Sequence, residues 1–230
     1  MTLLSVPGAI DALAEPRKER DGIRPPKFAD KFAALDFEAV PLPVISMFEP
    51  PAEVEASQAE LTVRGADLRR RVVPWTDLDG VPRVELPAPL VCQIFNWHED
   101  VVWGGVVLAK ALAALGLSVS PGGYYAFRSR DGQYFETISD DEARDPRVLL
   151  ATHLNGEPLP HQYGGPVRLI VPFLQGYKSV KWVEAIEAYP RDPVGIKRLL
   201  AQSKSGHLGP AWRDRLGIAP AGGRPGDPPP

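Results

Sequence analysis

The sequence predicts an α+β fold. Two observations carry this: short runs of strand character are interrupted irregularly by only two or three helical stretches, and the chain is rich in residues that end regular structure, with 26 prolines and 21 glycines in 230 residues. A strand–helix–strand rhythm, which would give a parallel sheet covered by helices, is missing. Hydrophobic residues make 44% and charged residues 24% of the chain, a balance that lets a core form without disulfides.

Taken in order, the chain divides into an N-terminal arm over 1–39, a body over 40–205 and a Gly/Pro-rich tail over 206–230, expected to be disordered because it buries too little apolar surface to offset its ordering entropy. In the arm, 5–14 and 28–35 have helical character. Pro41, Pro43, Pro50 and Pro51 hold the start of the body extended. Residues 60–65 alternate polar and apolar and read as a half-buried strand. The apolar run 89–95 reads as a buried strand, and 106–115 as a helix stopped by Gly116. Residues 124–128 and 133–138 flank Asp131-Gly132, a hairpin turn signal. A helix is expected over 140–150, capped by Ser139 or Asp140. Strands are expected over 167–172 and 180–189, and a short closing helix over 192–201.

Composition also excludes functions. Net charge is −3, without the basic excess of a nucleic-acid binder. One cysteine excludes an internal disulfide framework and any multi-cysteine metal site. The start lacks the basic region of a secretory signal, and no run approaches the ~18 apolar residues of a membrane span. The expectation is a cytoplasmic protein that acts on neither nucleic acid nor membrane. No phosphate-cradling glycine loop, Ser–His–Asp order or HExxH is present.

Four stretches carry a resemblance. They are Trp97-His98-Glu99-Asp100-Val101-Val102-Trp103-Gly104-Gly105-Val106 before an apolar helix; Asp131-Gly132-Gln133-Tyr134; Leu150-Ala151 followed by Asn155-Gly156-Glu157-Pro158-Leu159-Pro160; and Gly164-Gly165-Pro166-Val167-Arg168-Leu169 followed by Gly176-Tyr177-Lys178-Ser179-Val180-Lys181-Trp182. In this order and spacing the chain resembles the sulfite oxidase, or molybdopterin-binding oxidoreductase, family over roughly 40–189. The resemblance implies a mixed α+β domain that holds molybdenum through a pterin dithiolene and one cysteine, and that transfers oxygen atoms.

The departures from the family pattern shape the functional expectation. The family places its cysteine four residues before the first tryptophan of the pair, which is Gln93 here. Cys92 is its neighbour, and adjacent strand side chains face opposite ways, so Cys92 is expected to turn from the pocket and be inert and buried. Tyr163 stands where the family has a histidine, and the segment 44–48 is apolar where an Arg-Asn-His run is usual. These replacements point to a branch without cofactor: a cyclase of polyether-type polyketide pathways in antibiotic biosynthesis, performing a [4+2] cyclisation of a hydrophobic chain folded in the former cofactor pocket. Gln93 and Tyr163 are then the catalytic hydrogen-bonding groups, and Phe48, Trp97, Tyr177, Arg168 and Lys178 the substrate-binding residues. Arg168 and Lys178 also stand as anion anchors or structural ion pairs, and Lys181 as structural. His161 and His153 are too isolated for a metal site. Two alternatives remain: a molybdopterin-dependent, sulfite oxidase-like oxidoreductase with Cys92 as metal ligand, and a non-catalytic small-molecule binding protein.

Overall fold

The structure is a computed structural model describing residues 48–92, 97–199 and 205–221. The arm over 1–39 and its expected helices lie outside these residues. Strand β1 (Glu60–Arg64) alternates as its sequence does: Leu61 and Val63 face inward, each 1% exposed. It pairs antiparallel with β2 (Arg70–Pro74) and parallel with β12 (Val183–Tyr189). Strand β12 pairs with β7 (Tyr124–Ser129), and β7 with β8 (Phe135–Ser139), giving the order β2-β1-β12-β7-β8. The β7–β8 turn falls where Asp131-Gly132 places it. Asp131 accepts the backbone N–H groups of Gln133 and Tyr134 at 2.8 and 2.7 Å, the local bond that makes Asp a turn residue.

The second sheet runs β10-β9-β6-β3, from Glu157–Pro158, Leu149–Leu154, Val102–Val107 and Arg83–Pro87, with β11 (Arg168–Ile170) also paired to β9. A separate hairpin joins β4 (Leu90–Cys92) to β5 (Trp97–Glu99). The centre of the second sheet, β9 with β11, is buried on both faces, while β3 and β10 at its edges are largely exposed. Leu150 and Leu169 join the larger core with Phe127, Ile186 and Leu112 of helix α1 (Leu108–Ala114). Leu149, Ala151 and Ile170 join a smaller core around Trp103. Trp103 is 0% exposed and donates its indole N–H to Ala88 O at 3.1 Å.

Three expectations are corrected. The helix expected over 106–115 begins later, because Val106 and Val107 extend β6, where β-branched side chains fit best; its stop at Gly116, with φ of +61°, stands. The helix expected over 140–150 is the single turn α2 (Asp140–Ala143). Ser139 and Glu142 form its capping box, but Pro146 disfavours helical backbone at Asp145, and the apolar run beyond becomes β9, fully buried where a helix was read. The tail expected over 206–230 is folded as far as residue 221: helix α4 (Pro210–Leu216) buries Trp212 to 4% exposure in the larger core, with Leu208 at 2% and Ile218 at 8%. A few large side chains anchor it despite its Gly/Pro content; residues 222–230 lie outside the described residues. The closing helix is α3 (Ile196–Leu199). No helix among the described residues is long and apolar enough to cross a membrane.

Candidate functional site

The β4–β5 hairpin sets the position of the single cysteine. Its register pairs Leu90 with Glu99, Val91 with His98 and Cys92 with Trp97. Side chains alternate along a strand and match across a pair, so Cys92 shares a face with Leu90 and Glu99, while Val91 and His98 share the other. Val91 lies in the larger core, and Leu90 in the smaller one, against which half-buried Cys92 and Tyr163 also pack. The sequence expectation that Cys92 turns away from Tyr163 is therefore corrected: Tyr163 donates toward both oxygens of Glu99, at 3.4 Å each, on the face that carries Cys92. The 3-10 turn Gly176–Lys178 lies against β4, and any Cβ at Gly176 would sit 2.6 Å from the Val91 carbonyl oxygen. Only glycine lets this turn approach the hairpin so closely.

Two groups of buried charge lie around the hairpin. In the first, Lys178 pairs with Glu136 at 3.1 Å, their side chains 4% and 2% exposed, and donates to Thr137 O at 2.8 Å. The backbone N–H of Lys197 also donates to Glu136, at 2.8 Å. Burial raises the Glu136 carboxyl above its ordinary range against the opposing charge of Lys178. Burial likewise lowers the Lys197 ammonium, opposed by negative charge on Cys92 and Glu136, so Lys197 lies within electrostatic reach of the cysteine. Tyr177, whose hydroxyl burial raises above the tyrosine range, accepts the Tyr134 hydroxyl at its carbonyl at 2.6 Å.

In the second group, Arg168 is 3% exposed, lies 5.4 Å over the Trp103 ring, and donates to Tyr163 O at 2.8 Å. Its Nε is buried without an acceptor, and none of the ion pairs among the described residues includes it. Burial lowers its guanidinium to about 10. Half-buried Lys181 donates to Gln162 O at 3.0 Å; burial, and then the charge of Arg168, push its ammonium well below the lysine range. His161 adds a second buried nitrogen without a partner, Nδ1, on a ring 5.4 Å from that of Trp182. Trp182 has φ of +51° and is held by its N–H to Gly164 O at 3.0 Å and its indole N–H to His161 O at 2.8 Å. Burial raises the Tyr163 hydroxyl, and the charge of Glu99 adds to this.

The structure thus brings Cys92, Tyr163 and Arg168 around the smaller core and puts Lys178 and Tyr177 in the other group. Lys178 is a structural ion pair, one of the two roles open to it in the sequence. Trp97 lies opposite Cys92 in backbone register. Phe48 is half-buried at the start of a segment whose Ala52 carbonyl accepts Arg130 at 2.7 Å. Gln93 lies outside the described residues. Sequence reasoning read Lys181 as structural, set His161 aside as a metal ligand, took the His98-Glu99-Asp100 run as a solvated turn sooner than an acid/base group, and did not single out Glu136. The closeness of Lys181 to Arg168 in the motif GxPxRL…GYKxxKW was the available signal.

No three His, Cys, Asp or Glu side chains come together as a metal cage among the described residues. A bare ion has no cage there. A group that brings its own ligands, takes one soft thiolate and carries an anionic end fits better: Cys92 offers the sulfur, the partnerless Arg168 Nε and His161 Nδ1 offer an anion hold, and the Lys181 ammonium adds positive charge near Arg168.

Three comparisons bear on this geometry. The family described as the oxidoreductase molybdopterin binding domain matches residues 47–196. A protein-methionine-sulfoxide reductase catalytic subunit, MsrP, of Xanthomonas axonopodis pv. citri is 35% identical over 130 residues, covering 50% of this chain and 40% of its own. MsrP of Gluconobacter oxydans is 27% identical over 193 residues, 84% of this chain and 57% of its own, and human mitochondrial sulfite oxidase is 30% identical over 142 residues, 50% and 26%. The chain therefore spans only 26% to 57% of these relatives. The crystal structure of the sulfane dehydrogenase SoxCD of Paracoccus pantotrophus matches with a TM-score of 0.55 and 24% identity, over 62% of this chain and 41% of that one; this likeness supports the sulfite-oxidase-like α+β fold.

These findings overturn two expectations. The relatives are named as oxidoreductases, so the cofactor-independent [4+2] cyclase of polyketide antibiotic biosynthesis is set aside. The family is a molybdopterin-binding one, so the expectation of no cofactor falls with it. Both had rested on Gln93 in the ligand position, with the Tyr163 and 44–48 replacements beside it; the hairpin register and the Tyr163–Glu99 bond put Cys92 on the face toward Tyr163.

Proposed function

Because the chain belongs to the oxidoreductase molybdopterin binding domain family, we propose that it is a molybdenum-cofactor-dependent oxidoreductase acting on a small sulfur–oxygen substrate. The observation that carries the reading is Arg168: a guanidinium 3% exposed, with a buried donor that no protein atom accepts. An uncompensated buried cation is costly in an empty protein and becomes favourable once an anionic group occupies it.

When bound, the cofactor supplies two-electron oxygen-atom transfer. The half-reaction balances as a sulfur–oxygen group, two protons and two electrons giving the reduced sulfur and water, with an external redox carrier exchanging the electrons. The chain's residues supply the rest. Cys92 provides the thiolate ligand. Arg168 and Lys181 hold the anionic end, and the Trp103 ring beneath Arg168 keeps water from that side. Tyr163 keeps its proton at neutral pH, because burial and Glu99 raise its hydroxyl, and directs it to Glu99 at the rim of the same face.

The test is elemental analysis after expression in a host that synthesises the cofactor. Near-stoichiometric molybdenum in the wild type, absent from folded Cys92→Ser, is the expected outcome. Wild-type protein free of molybdenum, or Cys92→Ser retaining it, overturns the reading.

A further inference from the structure

The segment 205–221 lies beyond the residues matched by the family, 47–196, yet it packs against the back of the cysteine hairpin. We propose that this segment is a strap fixing the Cys92 hairpin in place, with Arg215 and Trp212 as its positioning residues; the inference rests on Cys92 being the ligand of the proposed function.

Three fastenings hold the strap. At its start, Leu174 and His207 form an antiparallel bridge, and Gln175 N–H donates to Gly206 O at 2.7 Å. Gly206 has φ of +69°, and a Cβ there would meet the Lys178 side chain at 2.8 Å and the Tyr177 hydroxyl at 3.0 Å, so the strap lies directly on the turn that abuts β4. At its end, Arg147 clasps both oxygens of Asp145, at 2.9 and 2.7 Å, and donates to the carbonyls of Ala219 and Pro220 at 2.8 and 2.6 Å. Between them sits α4, only seven residues long. A helix well under the ~12–15 residues needed for stability alone exists through its packing.

That packing is aimed at the hairpin. Trp212 meets His98 edge to face, with ring centroids 6.3 Å apart and planes at 77°. Arg215 lies 5.0 Å over the Trp212 ring and reaches His98 Nδ1 at 3.1 Å. Since the guanidinium only donates, Nδ1 accepts. His98 is paired with Val91, the residue before Cys92, and both present the face opposite to that of Cys92. The strap therefore grips the hairpin through His98, on the face opposite to that of Cys92. A three-residue strand pair has few ladder bonds of its own, and an element with few bonds opens easily. The contact from Arg215 and Trp212 is what a thiolate needs if its position is to stay fixed.

The chain has one cysteine, so iodoacetamide alkylation of full-length, cofactor-free protein reads the hairpin alone. Arg215→Ala keeps a strong helix former in α4 and removes the bond to His98. Its thiol should alkylate about fivefold faster than the wild type's, the change expected when one hydrogen bond is lost from a local opening equilibrium. His98→Phe, which removes the acceptor and keeps a ring against Trp212, should do the same, and Asp214→Asn, on the exposed side of α4, should alkylate as the wild type does. A merely structural role would lower the melting temperature without singling out the thiol. Unchanged alkylation in both Arg215→Ala and His98→Phe overturns the strap. Cofactor-loaded wild type that alkylates as fast as empty protein instead overturns Cys92 as ligand and leaves the strap comparison intact.

Discussion

Lys178 and Arg168 are equally buried, each 3% exposed, and they do opposite things. Lys178 has a carboxylate at 3.1 Å and a carbonyl at 2.8 Å; its charge is spent inside the protein. Arg168 has a carbonyl, an indole face and a donor left over. Burial alone therefore does not mark a functional cation. The marker is burial without internal compensation, because only an outside ligand then makes the arrangement favourable.

The comparison can be broken from its compensated side first, where the largest effect is expected. Glu136→Gln leaves Lys178 buried beside a neutral partner and should destabilise the fold by about 3–5 kcal/mol. Denaturant unfolding measures it, and Glu136→Gln with Lys178→Met should recover most of the loss. If the single change is nearly neutral, the two sites do not differ as described. On the uncompensated side, Arg168→Gln should leave the stability of the cofactor-free protein unchanged or improved while reducing cofactor retention roughly 10–100-fold, the range for a charge-assisted hydrogen bond of ~1.5–3 kcal/mol. Molybdenum content after gel filtration, set beside the unfolding curve, separates the two readouts.

The smallest effect sharpens the contrast. Lys181 titrates below its unfolded value, pushed down by burial and then by Arg168. Between its lowered folded pKa and about 10.5 the unfolded chain binds more protons than the folded one, so the stability of the cofactor-free protein gains from this group as pH rises through that window. Lys181→Met should flatten that part of the profile, and melting temperatures of both proteins across the alkaline range show whether it does.

What the sequence discloses follows the range of the interaction that decides each feature. The Ser139 cap, the Asp131 turn and the stop at Gly116 depend on atoms within a few residues, and they are where the pattern puts them. The buried run after Pro146 is ambiguous because a doubly covered strand and a buried helix have the same composition; the proline was the clue that decides it. The folded strap depends on Trp212 and on Arg147, far from it in sequence. At the site, the motif named Arg168 and Tyr163, and the structure brings the two together through the bond from Arg168 to Tyr163 O. The orientation of Cys92 was not legible, since it is set by pairing with β5 and not by its neighbours along β4. The sequence set Lys178 as a candidate anion anchor and Lys181 as structural; the ion pair of Lys178 with Glu136, on the adjacent hairpin, is what separates the two in the structure.

Trp182 carries a consequence in evolutionary terms. A left-handed backbone costs an ordinary side chain about 1–2 kcal/mol that glycine escapes, so on backbone grounds alone glycine or asparagine would suit this position better. What a glycine there would forfeit is the Trp182 ring, which lies 5.4 Å from that of His161 and 5.2 Å from the Lys181 ammonium. On the proposed function, Trp182 holds its place in the anion site against the backbone's own preference. A lineage that gave up the ligand would lose the reason to keep the tryptophan before it lost the fold, and this position would be among the first to record the change.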